Sequence, residues 1–549
     1  MVSIFLINND VSNEILIEIG MVKQICIIGG GASGITAAKA CIEEGLDYVI
    51  YEMYKDFGGL WRYRDEDVNG LASVTASTVI NSSKEMSAFS DFPPRVEYPN
   101  YMHNTCMIRY IEEYAEHLGC IGNIKFEHKI HAVTKAATFD EDGRWDVEIE
   151  NLKTGEKFSK TFDGVMVCTG HHVTPSWAHF PGQEKFKGKI MHTHSYKKPT
   201  EFIGKRVVVV GIGNSGGDAA VELSMVNPKV WLSTRRGCWL VHRVGPNGKP
   251  FDSLFLRRSW NFLFNTVPYK LTCSFCEHML NLHFDHKEYR LQPEHRIFEQ
   301  HVTVNDALPN RILAGTVVLK NNIERITETG VIFEGEREEL PCDVILLATG
   351  YKVDFPFIDQ SLVPVVDNKV DLYKYVFSPN LQPHPHTLGF IALAQPIGAL
   401  FPIGEMHSRW YAMCMSGKRQ LPSEEKMRKN IAKKHEEIAK RYYEGPRNTL
   451  QVDWINYMDE LAELVGCRPN VASYLFKDPK LWWRLSFGPC LPYQYRLEGP
   501  HKWSGARKAI LDAPKRMKAP LFTRELTDKK GNFISQNGST TANGYKKID

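Results

Sequence analysis

Twice along the chain the hydrophobic and polar positions fall into the same order. In KQICIIGGGASGITAAKACIEEGLDYVIYEM a β-branched run, Ile25 to Ile28, meets a glycine turn, an alanine-rich segment and a second apolar run from Tyr48 to Glu52. An unbroken apolar run of this length predicts a strand covered on both faces. The segment between two such runs predicts the helix that returns the chain to a parallel neighbour. KRVVVVGIGNSGGDAAVELSMVNPKVWLSTRRG repeats the order, with a strand over Val207–Val210, a glycine turn and a helix. Each stretch is a predicted βαβ unit.

Between the two units, RWDVEIENLKTGEKFSKTFDGVMVCTG alternates apolar and polar residues around Lys-Thr-Gly, the pattern of a hairpin, and ends in Cys168-Thr169-Gly170. CDVILLATGY ends the same way, in Ala348-Thr349-Gly350. Two such endings on either side of the second unit predict one dinucleotide domain inserted into another, the chain leaving the first near 170 and re-entering near 345. Residues 251–285 are dense in aromatics and leucine. They fit a cap over a substrate tunnel, a surface that dips into a bilayer interface, or ordinary core. PSEEKMRKNIAKKHEEIAKRYYEG predicts an amphipathic helix with Met427, Ile431, Ile438 and Tyr442 on one side and its charge run in solvent. The expected division is an extension over 1–22, a first domain over 23–170, an inserted domain over 171–344, the return of the first domain over 345–525, and a polar, disordered tail over 526–549.

Glycines give the two units their chemistry. Gly29, Gly31 and Gly34 form G-x-G-x-x-G at a strand-to-helix turn, which permits a close backbone approach to a pyrophosphate held at the helix N-terminus. Glu52 ends the second strand, where a carboxylate can take both hydroxyls of an adenosine ribose. The second unit has Gly211, Gly213 and Gly216 but ends in Thr234-Arg235-Arg236, with no acid. A 2′-phosphate is repelled by carboxylate and held by guanidinium, so this site should prefer NADP over NAD. Paired arginines are more often a solvated turn, but their place in a βαβ unit favours the phosphate.

The bulk numbers add bounds. A chain of 549 residues exceeds one ordinary core, and 43% hydrophobic with 24% charged residues is a soluble balance. The formal net charge of +3 gives no reason to invoke nucleic acid. Twelve scattered cysteines fit a reducing compartment. The first twenty residues lack a basic leader and an unbroken apolar core, so no secretory signal is expected, and Met21 is an alternative start. No window of 18 apolar residues predicts a transmembrane helix. Asn81-Ser82-Ser83 is a formal N-glycosylation triplet, weakened by the missing secretory signal.

FKGKIMHTHSY matches F-x-G-x-x-x-H-x-x-x-Y through Phe186, Gly188, His192 and Tyr196, a fingerprint of class B flavin monooxygenases. With GGLWRY, NSSKEMSAFSDFPP, GNSGGD, LPNRI, ATGY, HSRW, YMDEL and FGPCLPYQYRL in order, the chain resembles the animal flavin-containing monooxygenases (dimethylaniline monooxygenase, N-oxide-forming) from about Lys23 to Glu525. The resemblance implies an α/β fold of two nested Rossmann-like domains, the NADP domain inserted into the FAD domain. It places Gly29, Gly30, Gly31, Ala32, Ser33, Gly34 and Glu52 on FAD, with Leu60, Trp61, Ser82 and Gln395 beside it. Ile80, Gly211, Gly213, Asn214, Ser215, Gly216, Gly217, Asp218 and Arg235 fall on NADP. Asn81 becomes the active-site amide between the two cofactors, and the glycosylation triplet a coincidence.

The implied chemistry is reduction of FAD by NADPH, addition of O2 to give a C4a-hydroperoxyflavin, and oxygen transfer to a soft nitrogen or sulfur of a small xenobiotic or metabolite. A neutral amide suits Asn81's place, donating and accepting hydrogen bonds without adding charge. Baeyer–Villiger oxygenation of ketones, uncoupled NADPH oxidation and a non-catalytic dinucleotide sensor are the rivals. The implied location is the cytosolic face of the endoplasmic reticulum membrane, with cytoplasm as the alternative because no C-terminal hydrophobic anchor is present. Peripheral membrane contact and a homodimer are the associations considered. Cys273-x-x-Cys276 has no second pair at zinc spacing, so neither a metal site nor a redox pair is expected. His171 and His172 read as a hydrogen-bonded pair, and His192 as a link between domains more than as an acid or base.

Overall fold

Five parallel strands form the first sheet, in the order Leu388–Phe390, Gly164–Val167, Gln24–Ile28, Asp47–Glu52 and Ile124–Phe126. The apolar run around Ile25–Ile28 is wholly buried, as a strand covered on both faces must be. Helix Ala32–Glu44 packs on the buried helix Phe401–Met415, so the returning segment supplies both an edge strand and a cover for the first βαβ unit. This is a computed structural model, and it describes residues 22–524 except 73, 444 and 446, together with 533–534 and 540–541.

A second parallel sheet has the order Val317–Lys320, Val230–Ser233, Val207–Val210, Val344–Leu347 and Lys189–His192. All its strands come from between the two segments of the first sheet, which is the nesting read from the sequence. Because Val344–Leu347 pairs with Val207–Val210, the return to the first sheet follows Leu347 and does not begin at 345. The two crossings run side by side, Thr174–Pro175 pairing antiparallel with Tyr351–Lys352.

The predicted hairpin forms, with Trp145–Asn151 paired to Lys157–Phe162 and a third strand, His128–Lys135, on its other edge. A counterpart that the pattern did not predict, Ile323–Ile326, Gly330–Phe333 and Leu340–Pro341, stands at the same point of the second unit. Residues 251–285 become helices Phe251–Phe255, Arg258–Thr266 and Tyr269–Asn281. Their inner residues Cys273, Cys276 and Leu280 pack on Trp239, Ile297 and Phe298, whereas Phe262, Leu271 and Leu282 face outward. The amphipathic helix spans Glu424–Arg441, with Met427 and Ile431 buried. The expected extension and tail lie outside the described residues, apart from Val22 and the antiparallel pair Phe533–Ile534 with Thr540–Thr541.

Candidate active site

Both glycine turns open onto one continuous cavity of about 1980 Å³. That is roughly twice the upper range for a single drug-sized ligand. At the first turn Gly29 has φ +104°, and a Cβ on Gly34 would overlap the Gly29 carbonyl oxygen, so both positions require glycine. The helix that follows carries no side-chain cap at Gly31, which leaves its first N–H groups for an anion. Glu52 is nearly buried, and its two oxygens accept from the Gly30 and Tyr54 N–H groups at 2.7 and 2.8 Å. Burial pushes its carboxyl up, while these hydrogen bonds and the charge of Arg64 oppose the shift. Each oxygen keeps a lone pair for a ribose hydroxyl, so the turn and the acid fit an adenine dinucleotide.

The second turn repeats the geometry. Gly211 has φ +106°, and a Cβ on Gly216 would overlap the Gly211 carbonyl oxygen. Helix Asn214–Val226 also begins without a side-chain cap. Asn214 accepts from the Val304 N–H at 2.8 Å, and Asp218 accepts from Asn305 Nδ2 at 2.7 Å. Burial pushes the Asp218 carboxyl up to about 6. Arg235 and Arg236 follow strand Val230–Ser233 and border the cavity. An uncapped helix start beside guanidinium groups that pair with no carboxylate among the described residues fits a second phosphorylated dinucleotide.

The cavity wall brings together Gly29, Gly31, Ala32, Ser33, Glu52, Leu60, Trp61, Ile80, Asn81, Ser82 and Gln395 from the first domain. It adds Gly211, Gly213, Asn214, Ser215, Asp218 and Arg235 from the second. Gly30, Gly34, Gly216 and Gly217 are not on the wall. Gly34 and Gly216 shape the turns, and a Cβ on Gly217 would touch Asn305, Thr303 and Leu308 in the packing behind the helix.

Asn81 lies where the two domains face each other. Its Oδ1 accepts from Arg243 Nη2 at 2.7 Å, and Arg243 is in turn held by Asp306 at 3.0 Å. The adjacent Ser82 and Ser87 hydroxyls share a hydrogen bond of 2.7 Å. Asp252 accepts from the Ser83 N–H at 2.6 Å, and its other oxygen is buried with no partner among the described residues. Burial pushes the Asp252 carboxyl up to about 6, against the Ser83 hydrogen bonds. Sequence reasoning missed Arg243, Asp252 and Asp306. Arg243 is 162 residues from Asn81 along the chain, and no spacing rule joins them.

A further polar bridge joins the domains. Glu222, on the helix of the second turn, accepts from Tyr196 at 3.0 Å, from Thr75 at 3.2 Å and from Ser77. Tyr196 of the fingerprint thereby connects to the loop that leads into Asn81. Gly188 is required because a Cβ would overlap the Phe186 ring and the Asp343 carbonyl. His192 is fully buried in a strand, accepts from the His194 N–H at 3.1 Å, and is pushed down to about 4 by burial, so it is neutral. His171 and His172 line the cavity and lie edge to face with centroids 4.4 Å apart. Cys273 and Cys276 are unpaired and buried, and burial pushes the Cys276 thiol up to about 12, which leaves it unreactive near neutral pH.

Residues 22–540 match the sequence profile of the FMO-like, flavin-binding monooxygenase-like family. The chain is 48% identical over 504 residues to flavin-containing monooxygenase 5 of Rattus norvegicus, covering 91% of this chain and 94% of the relative. It is 42% identical over 510 residues to dimethylaniline monooxygenase [N-oxide-forming] 2 of Macaca mulatta, covering 92% and 95%. Among solved structures, S-allyl-L-cysteine S-oxygenase from Allium sativum superimposes with a TM-score of 0.62 at 22% identity, covering 91% of this chain and 99% of that one. That likeness concerns the fold.

Proposed function

The chain belongs to the flavin-binding monooxygenases, and on that premise we propose the roles of its residues and the atoms it oxygenates. It is an FAD-dependent monooxygenase that draws on NADPH and O2 and acts on small molecules. Bound FAD supplies the oxygen activation and NADPH the hydride; the protein positions and shields both.

The first turn, with Glu52, holds FAD, and the second, with Arg235, holds NADP(H). Leu60, Trp61, Ser82 and Gln395 border the flavin side. The transferred oxygen goes to a soft nitrogen or sulfur. Asn81 is the catalytic amide. With its carbonyl oxygen engaged by Arg243, its NH2 group is left to donate toward the reacting centre. Arg243 and Asp252 are positioning residues for the 80–83 loop. The observation that carries this reading is the opening of both turns onto one cavity beside Asn81.

The test is oxygen uptake and product analysis with NADPH, a thioether and a ketone. Sulfoxide formed with oxygen consumption supports the reading. Lactone from the ketone assigns the Baeyer–Villiger alternative, and no oxygen uptake leaves a dinucleotide sensor. Asn81→Ala should retain flavin yet lower product per NADPH consumed by roughly 10²-fold, the cost of one oriented donor at a reacting centre. Unchanged coupling in that variant would falsify the role.

Peripheral contact with the cytosolic face of the endoplasmic reticulum membrane is part of the same proposal. Helix Arg258–Thr266 packs on both Tyr269–Asn281 and Pro479–Phe487, and the three turn apolar side chains to solvent. Phe262 is 70% exposed and Leu271 62%, and Phe476 of the adjoining helix Tyr474–Lys477 is 89% exposed. No helix among the described residues is long and apolar enough to cross a membrane. Failure of the holoenzyme to float with phospholipid vesicles removes this contact.

A further inference from the structure

Arg447 lies far from either glycine motif, in the segment that follows helix Glu424–Arg441. The fold nevertheless carries it to the nucleotide side of the cavity, whose wall includes Arg235, Arg236, Tyr443 and Arg447. Its Nη2 donates to the Thr349 carbonyl at 3.3 Å, and its side chain passes beside Gly350. Thr349 follows strand Val344–Leu347, which pairs with Val207–Val210, the strand that feeds the second glycine turn. Arg235 and Arg236 leave the neighbouring strand, Val230–Ser233, on the other side of that turn. Three guanidinium groups therefore gather at the carboxyl edge of one parallel sheet, where such sheets bind their ligands.

Among the described residues none of the three guanidinium groups is paired with a carboxylate. Among the described residues the charged groups that bear on Arg447 are Arg235 and Arg236, and all three side chains reach solvent. Arg236 is stacked on the Tyr443 ring at 3.9 Å, which fixes the direction of that guanidinium. Like charges held together in a cavity favour an anion of high charge density, and planar guanidinium forks match the oxygens of a phosphate.

We propose that Arg447 joins Arg235 and Arg236 in a three-guanidinium clamp on the 2′-phosphate of NADPH, and that it helps to set the preference over NADH. The inference rests on the reading of the second turn as the NADP(H) site. It adds a residue from the returning segment to a subsite that the βαβ pattern alone ended at Arg236.

The experiment uses the FAD-loaded protein and two probes, 2′,5′-ADP and 5′-AMP, titrated by calorimetry. The wild-type chain should bind 2′,5′-ADP more tightly. Arg447→Gln should weaken 2′,5′-ADP by about tenfold or more, the range for one charge-assisted hydrogen bond, and leave 5′-AMP unchanged. Arg447→Lys should retain part of the discrimination. The ratio of kcat/KM for NADPH to that for NADH should fall in the same proportion. Undiminished 2′,5′-ADP binding in Arg447→Gln overturns the inference, as does equal loss of both probes in the Gln and Lys variants. A wild-type protein that does not distinguish the probes overturns the NADPH reading of the site itself, a separate outcome.

Discussion

Asp252 places a carboxylate where charge is costly. Burial pushes it up to about 6, against about 3.9 for an exposed aspartate. Between those values the folded chain binds the proton and the unfolded chain does not, so ionisation of Asp252 lowers stability as pH rises from about 4 to about 6. Function runs the other way, because the ionised form accepts the Ser83 N–H more strongly and so holds the loop that carries Asn81. Of the titratable groups, Tyr101 faces it, and the Asp252 charge helps to raise the Tyr101 phenol. The expected outcome is an acid limb near pH 6 in product formed per NADPH consumed, flattened in Asp252→Asn. Asp218, also near 6, is the control: Asp218→Asn should leave the limb in place. A limb that survives Asp252→Asn removes the assignment.

At the scale of elements, the seam between helices Ala32–Glu44 and Phe401–Met415 is tied by a buried ion cluster. Glu405 meets Lys39 at 3.0 Å and Arg496 at 2.8 Å and accepts from the Ser90 N–H and hydroxyl. Burial alone would raise its carboxyl, but the Lys39, Arg496 and Arg409 charges overcome that and hold it well below the usual carboxylate range. A depressed folded value means that the contribution is present above about pH 4.3, the unfolded value, and is lost as pH falls below it. Glu405→Gln leaves two buried cations undercompensated and should cost about 3–5 kcal/mol, read as a lower unfolding midpoint with partial loss of flavin. Its stability should also respond less to acidification below about pH 4. An unfolding midpoint equal to the wild type at pH 7 would count against the cluster as a tie.

For the whole molecule, the two domains repeat one plan, each a five-stranded parallel sheet with a three-stranded antiparallel piece at the corresponding point of the chain. Polar bridges at Arg243, Asp252 and Glu222 hold their glycine turns on a common cavity. The outward apolar side of residues 251–285, with Phe476 of helix Tyr474–Lys477, belongs to the same scale, because the proposed membrane contact would cover it. Phe262→Ser, Leu271→Ser and Phe476→Ser each alter a largely exposed side chain, so stability should change by no more than about 0.5 kcal/mol. Vesicle co-flotation should drop in the triple variant while turnover of a water-soluble thioether is kept. Equal flotation of variant and wild type refutes the surface.

What the sequence determined by itself is local and periodic. The apolar runs at Ile25–Ile28 and Val207–Val210, the glycine spacings, Glu52 and the arginine pair act within a single βαβ unit, so neighbours in the chain are neighbours in space. The paired Thr-Gly endings carried the nesting too, because a strand that ends one domain must be resumed by its own sheet. Arg243, Asp252, Glu222 and Arg447 were illegible, since each acts on a partner brought close only by the docking of two domains. Whether Asn81 meets a guanidinium, and whether a carboxylate near it titrates at about 6, depends on distances and desolvation that tertiary packing sets.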